Sequence, residues 1–382
     1  MRLKILIVSL ATASFALPAF AQKAVTQEDV LSHYAQLVHA NYTDSAASAR
    51  SLKAAVDAFV KTPSAAGLIE ARKRWRAARE WYGQTEAFRF YGGPIDGEDG
   101  PEGRMNGWPM DEAYVDSVEG SPNTGIINDR SVKLDAETLV ALNEKDGEEN
   151  ISTGWHAIEF LLWGQDLRAD GPGDRAWTDF VDGKSPNADR RRTYLQIVTD
   201  LLVSDLEDLT QAWTSGRKNY RADFVADPAS LAKLISGLGA LSRAELAGER
   251  MEVALDSQSQ EDEHSCFSDN THRDIVVNAL GIRNVWRGEF QRTDGVLLKG
   301  PSLRALVATK DEALADKLDA QLSASVSAAE AIPAPFDQAI LADTPGRAKV
   351  EATVVALKKQ TETLAQATQV LGIKHLNTAL PD

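Results

Sequence analysis

Cysteine is nearly absent: Cys266 is the only one in 382 residues. No disulfide can form within the chain, so its core must hold without covalent staples. Long apolar runs are scarce as well. The one at residues 5–17 follows the positive charges of Arg2 and Lys4 and precedes Ala19-Phe20-Ala21. That is the pattern of a secretory signal cleaved after Ala21. A lipid-anchored product would need a cysteine at the new terminus, where Gln22 stands. No later run reaches the roughly 18 residues that a spanning helix requires, so the mature chain is expected to lack a transmembrane segment. Positive charge is in deficit too. The formal charge of −15 becomes −17 once Arg2 and Lys4 leave with the signal, which excludes nucleic acid as a natural partner. The expected location is the periplasm, with association at the outer membrane left open.

Alternating strand-like stretches are few, and helical spacing runs through most of the chain. Val30, Tyr34, Leu37 and Val38 show it, as do Leu195, Val198, Leu202, Leu206, Leu209 and Trp213. The Ala-, Leu-, Glu- and Lys-rich composition around them favours helices by propensity as well as by period. The expected fold is all-α, with two helical bundles packed together: residues 22–218 and 219–382, joined near 215–227. Helix stops stand at Thr62-Pro63, Gly92-Gly93-Pro94, Ser185-Pro186 and Gly300-Pro301. Residues 92–129 are rich in Gly, Pro, Asp and Asn yet carry Trp108, Met110 and Tyr114. They predict a long, ordered, irregular excursion of the kind that usually serves function or clamps two parts together.

Three segments carry chemistry. The stretch 151–165 predicts a helix whose only formally charged residue is Glu159, three positions after His156 and therefore on the same face. A carboxylate in so apolar a helix needs a metal, an arginine or a protonated histidine beside it. A second helix is expected over 68–91, where Arg72, Trp75, Arg79, Tyr82, Glu86 and Arg89 share one stripe. Glu86 is its candidate ligand, and Arg79 or Arg89 would balance carboxylates or bind an anion. Glu and His from neighbouring helices are how bundles build iron and manganese sites. The third segment, 260–274, gathers His264, Cys266, Asp269 and His272 as a secondary metal or structural cluster. There Ser268 or Asp269 is expected to cap a helix running to about Trp286, with His272 on its buried side. The plain alternatives are an arginine-paired Glu159 beside a core histidine, and a capping loop with one buried histidine.

Gly154-Trp155-His156-Ala157-Ile158-Glu159 forms a GxHxxE motif. With the Glu86 helix upstream and the His264–His272 segment downstream, the chain resembles the imelysin family, in particular its iron-regulated protein A branch, over most of residues 25–375. The resemblance implies an all-helical fold of two bundle-like domains, a site near their junction that Trp155 supports, and a part in bacterial iron uptake. It also implies a metallopeptidase label, which the sequence serves poorly. Zinc peptidase motifs pair two histidines with a glutamate base, and here Phe160 stands where the second histidine would be. The expected function is therefore binding of a divalent metal, iron favoured and zinc possible, as the ion or a small iron species, with an envelope iron-transport partner possible. Peptidase activity is the alternative, followed by haem binding or a structural envelope role. Metal affinity is expected to fall as His156 protonates below about pH 6.5.

Overall fold

The computed structural model describes residues 24–169, 171–373, 376, 378 and 379. The expected signal at residues 1–21 lies outside the described residues. Among those described the fold is all-α, with one small hairpin. Helix α1 (Gln27–Lys61) opens with a capping box in which Thr26 and Asp29 satisfy each other's backbone N–H. It ends before Thr62-Pro63, and α2 (Ala65–Thr85) begins at once under the Ser64 cap. A single 3₁₀ turn, Glu86–Phe88, closes α2, so Glu86 and Arg89 lie beyond the helix that residues 68–91 were expected to form.

The excursion is ordered and contains α3 (Glu102–Asn106) and α4 (Glu112–Val115). The short α5 (Ala136–Leu142) leads to α6 (Gly154–Trp163), all ten residues of which are buried. The chain continues through α7 (Ala188–Ala212), α8 (Tyr220–Ala226) and α9 (Ser230–Ala240). A π-helical stretch, Leu241–Glu252, then runs without a break into α10 (Val253–Ser257). After a loop come α11 (Thr271–Arg287), the antiparallel pair β1 (Glu289–Gln291) and β2 (Leu297–Lys299), α12 (Leu303–Ala308), α13 (Glu312–Glu330), α14 (Phe336–Ile340) and α15 (Pro345–Val370).

Helices α1, α2, α6 and α7 pack as one group, and α11, α13, α15 and the π stretch as a second. The groups meet along α2 and α11. Close approach there depends on small residues: a Cβ on Gly281 would lie 2.5 Å from the Gln84 carbonyl oxygen. Buried apolar residues from both groups form one continuous cluster, with Trp75, Trp155, Trp163, Trp213 and Trp286 among its largest members. The candidate site lies at this seam.

Candidate functional site

Helix α6 is apolar all round because it is enclosed on every side: α2 on one flank, α7 on another, and the excursion over its start. The excursion approaches so closely that position 154 must be glycine. Gly154 has φ +84°, and a Cβ there would stand 2.4 Å from the Met105 carbonyl oxygen. Once seated, the excursion delivers Asn106 and Trp108 to the site.

His156 and Glu159 are both fully buried, and His156 Nδ1 lies 2.9 Å from Glu159 Oε2. The other carboxyl oxygen accepts from the Ser268 backbone N–H at 2.9 Å and from the Ser268 hydroxyl at 2.6 Å. The serine expected to cap a helix therefore holds Glu159 instead, and α11 starts at Thr271 after Asn270. His156 Nε2 has no hydrogen-bond partner. Around it stand the Trp108 and His264 rings, each with its centroid 4.9 Å from that of His156. Trp108 is half-buried, whereas His156 is fully buried.

Burial pushes the Glu159 carboxyl up to about 8, against the lowering pull of Ser268 and Arg79. Burial, with Arg79 and Arg250, also drives His156 well below its ordinary value. Its imidazole is therefore neutral near pH 7. The pH-sensitive proton of the pair belongs to Glu159 rather than to the histidine that the sequence suggests.

His264 joins this centre to a polar network. Its Nδ1 is 3.4 Å from Arg79 Nη2 and 3.9 Å from Asp274 Oδ2, and its Nε2 is 3.4 Å from the Asn106 amide nitrogen. Arg79 and the Asn106 amide are both donors, so the neutral ring accepts from Arg79 through Nδ1 in one tautomer and from Asn106 through Nε2 in the other. Arg79 also donates to Asn106 Oδ1 at 2.7 Å and to Asp274 Oδ1 at 3.2 Å, and it lies over the Tyr82 and Trp155 rings. Asp274 in turn accepts from the Ser265 hydroxyl.

Glu86 is at the end of this chain of contacts. Asn106 Nδ2 donates to its Oε1 at 3.3 Å, while Arg89 at 2.6 Å and Arg250 at 2.8 Å both hold its Oε2. Burial opposes ionisation, but Arg89, Arg250 and Arg79 together hold this carboxyl at about 2. Arg89 also pairs with Glu102 at 2.9 Å. Arg79 and Arg89 of the stripe thus serve carboxylates, while Arg72 donates to the Leu162 and Arg175 carbonyls.

The path from Glu86 to His156 runs through Asn106 and His264, so three of the predicted segments converge on one buried centre. Cys266 is buried and its thiol is pushed up by burial and neighbouring carboxylates. Asp269 and His272 are half-buried and line a surface cleft of about 540 Å³ whose wall includes Ser268. Among the described residues no three His, Cys, Asp or Glu side chains are grouped as a metal shell. Asn106, Arg250 and Asp274 escape the sequence reading. Arg250 sits on an otherwise ordinary charged stretch, and it reaches Glu86 from the π-helical segment.

Residues 38–364 match the family model described as Imelysin. The chain is 28% identical over 364 residues to "Iron-regulated protein A" of Synechococcus elongatus, covering 92% of this chain and 88% of that protein. Among solved structures, an iron-regulated protein A-type precursor from Parabacteroides distasonis superposes with a TM-score of 0.69 at 22% identity. That match spans 93% of this chain and 98% of the other. An imelysin-like protein from Psychrobacter arcticum gives 0.65 at 16% identity, over 92% and 98%. These two likenesses establish the fold.

Proposed function

The chain belongs to the imelysin family, and from that premise we propose that it is a periplasmic divalent-metal binder of iron handling, with His156 as the anchoring ligand. The observation that carries this reading is the His156 imidazole: fully buried, neutral, fixed through Nδ1 by Glu159, and with Nε2 unpartnered. A ligating histidine whose other nitrogen is held by a carboxylate is the usual outer-shell arrangement of protein metal sites. Imidazole with carboxylates suits iron, zinc and other borderline divalent ions. The iron-related name of the Synechococcus relative points the same way, and the leading residues read as an export signal.

The fit has a limit that shapes the proposal. Glu86 is neutralised by two arginines and Glu159 faces His156 and Ser268, so the ligand atom this centre offers is His156 Nε2. Such a site suits an iron species that arrives with ligands of its own. Glu159 would orient the imidazole and pass its proton to Nδ1 as the proton on Nε2 is released to solvent; Ser268 would steady the resulting carboxylate, and Trp108 would cover the ring. A peptidase would need a carboxylate free to activate water, and both motif-region glutamates are committed elsewhere.

Elemental analysis of protein purified without chelator or affinity metal, followed by anaerobic calorimetric titration with iron(II) and zinc(II), tests the proposal. Binding in the wild type that is lost in His156→Ala is the expected result. Equal affinity in both would leave α6 as core packing. Metal-dependent peptide hydrolysis lost in His156→Ala and Glu159→Ala would promote the peptidase reading.

A further inference from the structure

The residue that holds Glu159 is itself held from the surface. Ser268 is 0% exposed, and its backbone N–H and hydroxyl both end on Glu159 Oε1, at 2.9 and 2.6 Å. Two further bonds orient its main chain. The Gly173 N–H donates to the Phe267 carbonyl at 3.0 Å, on the same peptide unit whose N–H serves Glu159. Arg76 Nη2 donates to the Ser268 carbonyl at 2.7 Å, on the next peptide unit. A planar peptide fixed at its oxygen is fixed at its N–H as well, and with both planes set the serine hydroxyl has few staggered positions left.

Arg76 is well placed to do this. It stands on the exposed side of α2, at the cleft of about 540 Å³ where water competes for the Ser268 carbonyl. Its guanidinium also lies over the Trp163 ring, 5.0 Å from the centroid. Trp163 follows Glu159 by four positions on α6, so the two share one helix face. A planar cation resting on an indole is pre-organised before it donates. Helix α2, helix α6 and the loop before α11 are thus joined by one side chain, beside the carboxyl of the motif.

The contacts run without a gap from Arg76 to Ser268, from Ser268 to Glu159, and from Glu159 Oε2 to His156 Nδ1 at 2.9 Å. We propose that Arg76 is a positioning residue of the His156 centre, acting from the surface through Ser268 on the Glu159 carboxyl. Its purpose rests on the metal-binding function proposed above, whereas the immobilised Ser268 is a property of the metal-free protein. Arg76→Met keeps an unbranched stem against Trp163 and removes the charge and the donor. Arg76→Lys keeps a charged donor and loses only the planar contact.

Amide hydrogen exchange of the metal-free, full-length protein, resolved at Ser268 by NMR, tests the clamp, and calorimetric titration of the same samples with zinc(II) tests its purpose. In Arg76→Met the Ser268 amide should exchange at least about tenfold faster than in the wild type, and zinc affinity should fall about tenfold. Arg76→Lys should recover most of both. Arg74→Met, which removes an exposed arginine paired with Glu70 on the same helix, should match the wild type. Unchanged exchange in Arg76→Met, equal acceleration in Arg76→Lys, or faster exchange with undiminished affinity would each overturn the proposal. A wild type that binds no metal would instead overturn the proposed function, and the exchange rates would then decide the clamp by themselves.

Discussion

Glu86 and Glu159 are equally hidden from water, 1% and 0% exposed, yet the first is held at about 2 and the second is pushed up to about 8. Burial acts on both in the same direction. What separates them is the company each keeps: Glu86 has Arg89 and Arg250 on one oxygen, whereas Glu159 has Ser268 and a neutral histidine. A buried carboxylate closed by two guanidiniums is a finished structural unit. One closed only by neutral groups keeps its proton near pH 7, and that difference marks Glu159 as the half of the seam on which the proposed function depends.

Removing an arginine should break the contrast from the structural side and have the largest effect. Arg250→Met leaves Glu86 short of charge compensation and is expected to cost about 3–5 kcal/mol, read from urea unfolding at pH 7. A cost below about 1 kcal/mol would assign the compensation to Arg89 alone.

Glu159→Gln sharpens it from the other side. At pH 4, where the carboxyl is protonated in the folded and the unfolded chain alike, the amide should alter stability by less than about 1 kcal/mol. Metal affinity should nevertheless fall about 10–100-fold, because an amide donating to Nδ1 keeps the proton on Nε2 and cannot release it. Calorimetry with iron(II) or zinc(II) distinguishes this from unchanged binding, which would remove Glu159 from the site.

The two carboxyls also predict opposite pH dependences. Glu86 is lowered, so the stability it contributes is present above its ordinary value near 4.5 and is lost as pH falls toward about 2. Glu159 is raised, so its contribution is complete below about 4.5 and is lost as pH rises through about 8. Denaturation midpoints between pH 4 and 9 should decline toward the alkaline end in the wild type and decline less in Glu159→Gln. Over the same range metal affinity should climb with pH in the wild type. Parallel profiles for the two proteins would mean that Glu159 does not titrate there.

The smallest effect is expected from Ser268→Ala, about 1 kcal/mol, since the backbone N–H still serves Glu159 Oε1. The carboxyl should then titrate still higher, an outcome that carboxyl-edited NMR of the variant would show.

Much of this centre is legible in the sequence because it depends on local spacing. Three residues apart on an apolar helix puts His156 and Glu159 on one face, and α6 falls within the expected 151–165. The irregular excursion also reads as ordered from its aromatic residues. What escapes is long-range pairing. Nothing near Glu86 shows that Arg250, 164 positions away, will close on it, or that Asn106 will bridge it to His264. Ser268 fits a cap on local grounds, and its partnership with Glu159 spans 109 positions. Helix ends also shift when a 3₁₀ turn replaces the last α-turn, as at Glu86.

Gly154 gives the motif's first letter a different status from its other two. His156 and Glu159 are there for what their side chains do, whereas Gly154 is there for what it leaves out. A saturation library at position 154 should therefore yield glycine alone among well-folded members, while positions 156 and 159 admit stable but metal-silent replacements. Under the proposed function, selection for folding and selection for binding act on different letters of the same six-residue word.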